Sequence, residues 1–249
     1  MTNENDNLLN QLPFDFSVRN YMGREDFMVS KCNEKAFALL DAWPNWLSSG
    51  LYIYGPKGCG KSHLAHLFAD KVKQYSQGKQ NVAIVLASQI NMRNVKRLAE
   101  ENQVIVVENV CPQHNNEALF HLFNLFNEQG KYMLWTSEKP ANHWHFTLPD
   151  LQSRLNMLTH VAIKEPDDMM LRMLIVKLFN DRQIIIGEDI LSYIMNNAPR
   201  SFAYVRDLVK EIDEISLAYQ SAVNYNVVRK AMEIMAEKDS KEPDLFDEY

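Results

Sequence analysis

Residues 55–62 constrain the fold more than any other part of the sequence. They read GPKGCGKS, which fits the pattern G-x-x-x-x-G-K-S. An apolar stretch at 51–54 precedes them, and a helical pattern begins near His63. Glycines adopt backbone angles that are closed to other residues, so the main-chain N–H groups of such a run can converge on phosphate oxygens. A strand, this run and a helix in succession therefore predict a phosphate-binding loop.

We expect this loop to hold a nucleoside triphosphate or diphosphate together with Mg²⁺. The positive end of the following helix points at the same anion, Lys61 reaches the β- and γ-phosphates, and Ser62 is a ligand for Mg²⁺. The predicted nucleotide contacts in this part of the chain are Gly55, Pro56, Lys57, Gly58, Cys59, Gly60, Lys61, Ser62 and His63. The competing interpretation is a glycine-rich turn with an exposed lysine.

Charge and cysteine content exclude several classes of protein. The net charge is −6 at pH 7, and residues 237–249 carry six acidic against two basic side chains. No basic block stands out, which argues against tight binding of duplex DNA by charge alone. The three cysteines form no C-x-x-C pair, so we expect neither a disulfide framework nor a zinc site. The absence of a signal-peptide pattern and of any apolar run of membrane-spanning length predicts a soluble, cytoplasmic protein without a membrane partner.

The hydrophobic pattern predicts an α/β fold followed by a helical region. Apolar, strand-like runs lie at 51–54, 82–86, 104–107, 132–136 and 160–163, and helical patterns lie at 61–76, 89–101 and 116–129. Strands that are apolar throughout are typical of a parallel sheet buried on both faces, and their alternation with helices predicts right-handed crossovers. After Pro166 only helical periodicity remains, as far as residue 236. We therefore expect a second, small all-helical domain whose boundary lies near 164–168.

A second acidic element follows the third apolar run. Glu108 ends that run and is placed to position Mg²⁺, although a glutamate at a strand end can also face solvent. The next residue is Asn109, which is neutral and cannot accept a proton as a general base. We therefore expect hydrolysis by this chain alone to be slow.

Three further polar residues have two interpretations each. Ser137 follows the fourth apolar run, where its hydroxyl contacts either the γ-phosphate or the end of its own strand. Arg154 lies in a short helical segment after Pro149, either as a donor to the nucleotide of a neighbouring subunit or as a surface arginine paired with Asp150. Arg206 either folds over bound phosphates or is a solvated helix residue.

Taken in order, these segments resemble the AAA+ family, and closely the branch of the bacterial replication initiator DnaA. The matching stretches are YGPKGCGKSHL (54–64), VIVVEN (104–109), LWTSEKP (134–140), LPDLQSRL (148–155) and SFAYVRDL (201–208). The resemblance covers about residues 21–236 and implies a P-loop AAA+ domain with a mostly parallel five-stranded sheet and a helical lid. It implies ATP or ADP as the nucleotide, Arg154 as the arginine finger, Arg206 as the sensor II arginine, and Ser137 at or next to sensor I. Phe27 and Val29 resemble the segment that lines the adenine pocket.

Two departures from the initiators make the chain similar to the DnaA-related regulatory inactivators of the Hda type. After the helical region the given sequence continues only with the acidic segment 237–249, where an initiator has a DNA-binding domain. It also has Glu108 and Asn109 where an initiator usually has two aspartates. The resemblance further implies a clamp-binding peptide formed by Gln11, Leu12, Pro13, Phe14 and Phe16. A glutamine followed by spaced apolar anchors suits a peptide that becomes ordered on binding. An N-terminal strand packed on the core would show the same sequence pattern.

The resulting hypothesis is an adaptor that is tethered to the sliding clamp and inhibits DNA replication. Residues 1–20 form a flexible clamp-binding tether, 21–165 the nucleotide-binding domain, 166–236 the lid, and 237–249 an acidic, disordered tail. The expected partners are the initiator DnaA, the sliding clamp of DNA polymerase III and, through the clamp, DNA; self-association stays open. Arg154 would promote hydrolysis of ATP held by the initiator. The alternatives are an autonomous AAA+ ATPase, such as a helicase loader, and a non-catalytic clamp-binding module stabilised by nucleotide.

Overall fold

A computed structural model describes residues 27–241, with side chains described as far as residue 238. Within that range five strands alternate with helices. The strands are β1 (Gly50–Tyr54), β2 (Val82–Leu86), β3 (Val104–Glu108), β4 (Tyr132–Ser137) and β5 (Thr159–Ala162). The helices are α1 (Glu34–Asp41), α2 (Lys61–Tyr75), α3 (Val95–Glu101), α4 (Asn116–Glu128), α5 (Pro149–Asn156), α6 (Asp168–Asn180), α7 (Glu188–Asn197), α8 (Phe202–Tyr219) and α9 (Tyr225–Lys241).

The five strands form one parallel sheet in the order β2-β3-β4-β1-β5. This confirms the predicted parallel five-stranded sheet with flanking helices. The register places Tyr54 opposite Ser137 on one side and Ala162 on the other, so the central strands end together. Ligands of open α/β sheets bind beyond the carboxyl ends of the strands, and the loop at 55–60 leaves β1 at that edge.

Burial on both faces explains why the strands are apolar throughout. Every residue of β3 is buried, and β1 and β4 are buried except for one residue each. One hydrophobic cluster joins the sheet face covered by α1 and α2 to the helices α6–α9. A second cluster joins the opposite face to α3, α4 and α5. Continuous apolar runs are the pattern that such a two-sided environment requires.

Helices alone follow β5 in the described part of the chain. The first of them, α6, begins after Asp167, whose side chain accepts a hydrogen bond from the main-chain nitrogen of Met170 at 2.8 Å. Ser201 caps α8 in the same way, through the main-chain nitrogen of Tyr204 at 3.3 Å. Such caps satisfy main-chain donors that have no partner inside the helix. Because α6–α9 share the first hydrophobic cluster with the sheet, they pack onto the α/β layer over a continuous apolar core.

Three sequence predictions about these elements need correction. The helix predicted at 89–101 is a short 3₁₀ turn followed by α3, because the side chains of Asn91 and Asn94 accept main-chain hydrogen bonds and hold the intervening segment out of the helix. The sequence pattern missed α1. The acidic tail was placed from residue 237, yet α9 continues to Lys241, with Met235 buried and Lys238 bonded to Glu211 at 2.6 Å.

Between residues 27 and 241 the chain contains no helix that is both long enough and apolar enough to span a bilayer.

Candidate functional site

The loop between β1 and α2 has the backbone that the glycine pattern predicts. Gly58 and Gly60 have φ angles of 74° and 96°, in the left-handed region where side chains with a Cβ are strained. The main-chain nitrogen of Gly55 donates to the carbonyl oxygen of Ser137 at 3.2 Å, which fixes the start of the loop to β4. The loop therefore leaves the sheet edge in a defined conformation and ends at the first turn of α2.

Lys61 lies under this loop. Its side chain is buried, and Nζ donates to the carbonyl oxygens of Gly55 at 2.7 Å and Pro56 at 2.9 Å. Ser62, the next residue, is exposed at the N-terminal end of α2. The ammonium group and the hydroxyl group thus lie at the end of a helix whose free N–H groups favour an anion.

The other two side chains of the loop have different surroundings. Lys57 is 78% exposed, and its Nζ lies 4.0 Å from Glu138, so its side chain projects away from the loop interior. Cys59 is buried, and its Sγ lies 3.8 Å from Nζ of Lys61. Burial raises the pKa of the Cys59 thiol, with the positive charge of Lys61 acting in the opposite direction. Cys59 therefore fills space behind the loop as a neutral thiol.

Glu108 and Asn109 lie at the end of β3. Glu108 is buried, and its Oε1 has no hydrogen-bond partner among the described residues. A buried carboxylate oxygen without a partner is costly, and a cation or a donor would satisfy it. Asn109 has a φ angle of 57°, and its main-chain nitrogen donates to Oγ1 of Thr136 at 3.2 Å. The hydroxyl oxygen of Ser62 and the carboxylate of Glu108 are the kind of oxygen ligands that Mg²⁺ prefers. Oε1 of Glu108, which has no partner in the described residues, is free to be one of them.

The structure gives Ser137 a different role from the predicted phosphate contact. Its side chain is fully buried, and its hydroxyl donates to the carbonyl oxygen of Val110 at 2.7 Å. The same hydroxyl accepts a hydrogen bond from Nε1 of Trp144 at 2.8 Å. With its hydroxyl hydrogen committed to Val110 and a further hydrogen bond accepted from Trp144, Ser137 here holds the end of its own strand, which is the second of its two interpretations; a contact with the γ-phosphate stays a prediction. Trp144 was missed; a lone tryptophan between two histidines gave no sequence signal for it.

Phe27, which was assigned to the adenine pocket by resemblance, lies beside the loop; its contact with adenine stays a prediction. Its ring stands perpendicular to that of His63 with the centroids 5.1 Å apart, and it stacks on Phe37 at 5.8 Å. A Cβ on Gly60 would lie 3.4 Å from the Phe27 ring. Phe27 and His63 therefore form an aromatic wall against the loop, whereas Val29 is 46% exposed.

Helix α8 brings Arg206 towards the loop. A Cβ on Gly58 would lie only 2.9 Å from the main-chain nitrogen of Ala203, so the loop and the first turn of α8 touch through their backbones. Arg206 follows Ala203 by one turn. Its side chain is solvent-exposed, yet surrounding protein lowers the pKa of its guanidinium, with the Cys59 and Asp207 side chains acting in the opposite direction. The guanidinium therefore lies within electrostatic reach of Cys59, in the loop that the first turn of α8 contacts.

Arg154 lies on α5 and belongs to none of these contacts. The buried side chains of Leu151 and Leu155 anchor the helix, and Arg154 is half-buried. Among the side chains described, those of residues 27–238, its guanidinium makes no hydrogen bond and no ion pair, and Asp150 does not pair with it. The interpretation of Arg154 as a surface arginine neutralised by Asp150 is therefore wrong.

The remaining points concern the proposed clamp-binding residues and the search for further metal-binding clusters. The proposed clamp-binding residues Gln11, Leu12, Pro13, Phe14 and Phe16 lie outside the described residues. Across the described range, no group of three or more histidine, cysteine, aspartate or glutamate side chains is placed to hold a metal ion.

Comparison with known proteins identifies the family. The family described as the bacterial DnaA ATPase domain matches residues 19–162. The chromosomal replication initiator protein DnaA of Lactiplantibacillus plantarum is 24% identical over 230 residues, which cover 84% of this chain and 50% of that protein. DnaA of Mycoplasma capricolum is 25% identical over 193 residues, covering 69% and 43%. The chain thus spans about half the length of the curated relatives it matches.

Solved structures show the same fold. Domain III of DnaA from Thermotoga maritima superposes with a TM-score of 0.74 at 18% identity, covering 84% of this chain and 95% of that one. AMPPCP-bound DnaA from Aquifex aeolicus gives 0.65 at 18% identity, covering 90% and 70%. The Holliday junction branch migration motor RuvB of T. maritima gives 0.65 at 15% identity, covering 86% and 72%. Since the family match extends over more than half of the sequence and the fold agrees, the chain belongs to the family of bacterial DnaA ATPase domains, with the AAA+ fold.

Proposed function

We propose that this chain binds ATP or ADP in the cleft between the phosphate loop and α8. Support comes from the left-handed glycines at 58 and 60, the buried Lys61 and the approach of Arg206. The aromatic wall of Phe27 and His63 is the proposed seat of the adenine base. The AMPPCP-bound DnaA of Aquifex aeolicus has the same fold, which makes an adenine nucleotide the expected ligand.

Ser62 and Glu108 would hold Mg²⁺ beside the phosphates. When bound, the ion neutralises phosphate charge and positions the terminal phosphoryl group. The orphaned Oε1 of Glu108 is the observation that supports this assignment.

Hydrolysis by the chain alone is proposed to be slow. Asn109 stands next to the candidate metal ligand, and its amide cannot take a proton from an attacking water. The hydroxyl of Ser137 is engaged as well, with Val110 and Trp144. A single-turnover measurement on the purified protein tests this point, and rapid turnover without any partner would contradict it.

Arg154 is proposed to contribute to ATP hydrolysis in another protein and not in this chain's own nucleotide site. The observation that carries the proposal is that Arg154, a half-buried residue on α5, has a guanidinium without a hydrogen-bond or ion-pair partner among the side chains described from residue 27 to 238. An arginine that is unpaired and held on a short, anchored helix is available to an anion of another molecule. An arginine supplied to another protein's γ-phosphate raises hydrolysis by about 10³–10⁵. We assign that anion to ATP held by a DnaA-type initiator, which hydrolysis converts to its inactive, ADP-bound form.

Residues 11–16 are proposed to tether the chain to the sliding clamp on DNA. Gln11 would hydrogen-bond the clamp, and Leu12, Phe14 and Phe16 would fill an apolar pocket. Tethering raises the effective concentration of Arg154 near an initiator on the same DNA. The chain would thus act as a clamp-dependent negative regulator of replication initiation.

The deciding experiment measures hydrolysis of initiator-bound ATP with and without this chain, and with and without clamp loaded on DNA. The expected result is stimulation that requires both the chain and the clamp. Rapid ATP turnover by the chain alone would instead favour an autonomous ATPase such as a helicase loader. Capture by the clamp without stimulation would favour a non-catalytic module.

A further inference from the structure

The end of β4 connects the phosphate loop to the helix that carries Arg154. Ser137 is the junction: its carbonyl oxygen accepts from the main-chain nitrogen of Gly55 at 3.2 Å, and its hydroxyl accepts from Nε1 of Trp144 at 2.8 Å. Its hydroxyl also donates to the carbonyl oxygen of Val110 at 2.7 Å, two residues beyond Glu108. One fully buried serine thus touches the loop, the segment after the candidate metal ligand, and Trp144.

From Trp144 the connection continues to α5. The main-chain nitrogen of Trp144 donates to the carbonyl oxygen of Ala141 at 3.2 Å. The side chain of Gln152, on α5, donates to the same carbonyl oxygen at 2.6 Å. Gln152 precedes Arg154 by two residues, so the series of hydrogen bonds ends on the helix that presents the guanidinium.

A second set of contacts holds the same helix from the neighbouring strand. Tyr52, in β1, stacks on His160 with the ring centroids 4.8 Å apart, and Nε2 of His160 lies 2.9 Å from the carbonyl oxygen of Leu155. Tyr52 also donates to the carbonyl oxygen of Lys139 at 3.3 Å, and burial raises the pKa of its phenol to about 12. The helix α5 is therefore held at its middle by Ala141 and near its C-terminal end by His160 of β5, whose ring stacks on Tyr52 of β1.

We propose that Ser137 and Trp144 are positioning residues, which transmit the state of the phosphate loop to α5 and so determine where Arg154 lies. Ser137 is bonded directly to Gly55, the first residue of the loop, so a main-chain shift at Gly55 on phosphate binding would reach Ser137 first. Inside the protein a hydrogen bond is strong and its loss leaves costly unpaired groups, so a displacement at one end favours a concerted displacement at the other. This inference depends on the proposed function only in that Arg154 is taken as the group being positioned.

The test is hydrogen exchange of α5 with and without ADP and Mg²⁺, in the full chain and in Trp144→Phe. The substitution keeps an aromatic ring and removes the N–H donor; it also shortens the ring system, which the matched control below reproduces. In the unaltered chain, ADP is expected to increase protection both at the loop and at residues 149–156. In Trp144→Phe the loop should keep its ADP-dependent protection, while the increase at 149–156 should be lost.

Trp46→Phe is the matched control. Trp46 is also half-buried and its Nε1 also donates to a main-chain oxygen, that of Leu39 at 2.6 Å, but it lies outside the series of contacts described above. It should respond to ADP as the unaltered chain does. Ser137→Ala, which removes the hydroxyl at the junction, should reproduce the effect of Trp144→Phe even if the latter is locally repacked.

Two results would overturn the inference: no ADP-dependent change at residues 149–156 in the unaltered chain, or the same change in Trp144→Phe as in the unaltered chain. Failure of the proposed function gives a different pattern. ADP would then still protect α5 through Trp144, but the chain would not stimulate hydrolysis by the initiator.

Discussion

At the scale of single residues, the candidate site contains buried polar groups that differ in whether their hydrogen bonds are satisfied. Lys61 has main-chain acceptors at 2.7 and 2.9 Å, and Ser137 has both a donor and an acceptor. Glu108 is the exception, because its Oε1 is buried without a partner in the described part of the chain. Groups that are unsatisfied within a fold often mark the place where function is gained at the expense of stability.

We predict that Glu108→Gln makes the protein without nucleotide more stable while weakening its use of Mg²⁺. Replacing a buried, partly unpaired carboxylate by a neutral amide removes a desolvation cost of about 1–3 kcal/mol. Urea unfolding without nucleotide should give a larger free energy of unfolding for Glu108→Gln than for the unaltered chain. Titration calorimetry should show that Mg²⁺ no longer strengthens ADP binding.

Glu128→Gln serves as the control for that substitution, since Glu128 is exposed at the end of α4. It should change neither quantity. A lower free energy of unfolding in Glu108→Gln, with Mg²⁺ still strengthening ADP binding, would remove Glu108 from the metal site.

At the scale of elements, the phosphate loop of the α/β part contacts α8, one of the helices α6–α9 that follow the sheet. The contact is made by backbone, because a Cβ on Gly58 would lie 2.9 Å from the nitrogen and 3.1 Å from the Cα of Ala203. Backbone atoms cannot move aside as a flexible side chain can. The contact places Arg206 near the loop, so the geometry of the cleft depends on it.

Gly58→Ala is therefore predicted to be more damaging than a glycine substitution with the same backbone angle elsewhere. The left-handed conformation alone costs a residue with a Cβ about 1–2 kcal/mol. Gly78 provides the comparison, with a φ angle of 77° against 74° for Gly58 and nothing within 4 Å of an added Cβ. Urea unfolding should show a larger loss for Gly58→Ala, and ADP affinity should fall only in that variant. Equal losses in the two variants would show that α8 does not press on the loop.

The sequence predicted the features that follow from local patterns and missed those that depend on tertiary contacts. The strands and the loop were predictable because apolar runs and the spacing of Gly55, Gly60 and Lys61 follow directly from burial and backbone geometry. The buried hydroxyl of Ser137 was not predictable, since its partner Trp144 comes from a loop whose path depends on tertiary packing. The approach of Ala203 to Gly58 joins residues far apart in sequence, and no local pattern encodes it.

At the scale of the whole molecule, the chain is a DnaA-type ATPase domain with a proposed peptide tether at 11–16. The domain supplies the fold, the candidate nucleotide cleft and Arg154, whereas the tether is proposed to supply location. The two contributions are proposed to be separable, because residues 11–16 and Arg154 can be substituted independently.

Changing both Gln11 and Leu12 to alanine should remove clamp binding without affecting the folded domain. The amide and one apolar anchor are lost together, and short peptides depend on few such contacts. Pull-down with immobilised clamp should fail, while ADP binding and the thermal midpoint should match those of the unaltered chain. Undiminished capture by the clamp would place the contact elsewhere.

The central claim is that Arg154 completes a hydrolytic site belonging to another molecule, and one measurement tests it most directly. Hydrolysis of initiator-bound ATP is followed on clamp-loaded DNA with the unaltered chain, with Arg154→Ala and with Arg229→Ala. Arg229 is an exposed arginine on α9, 3.8 Å from Glu233, and serves as the charge-matched control. We predict that Arg154→Ala abolishes stimulation while its clamp binding and ADP binding are retained, and that Arg229→Ala stimulates fully; full stimulation by Arg154→Ala would contradict the account.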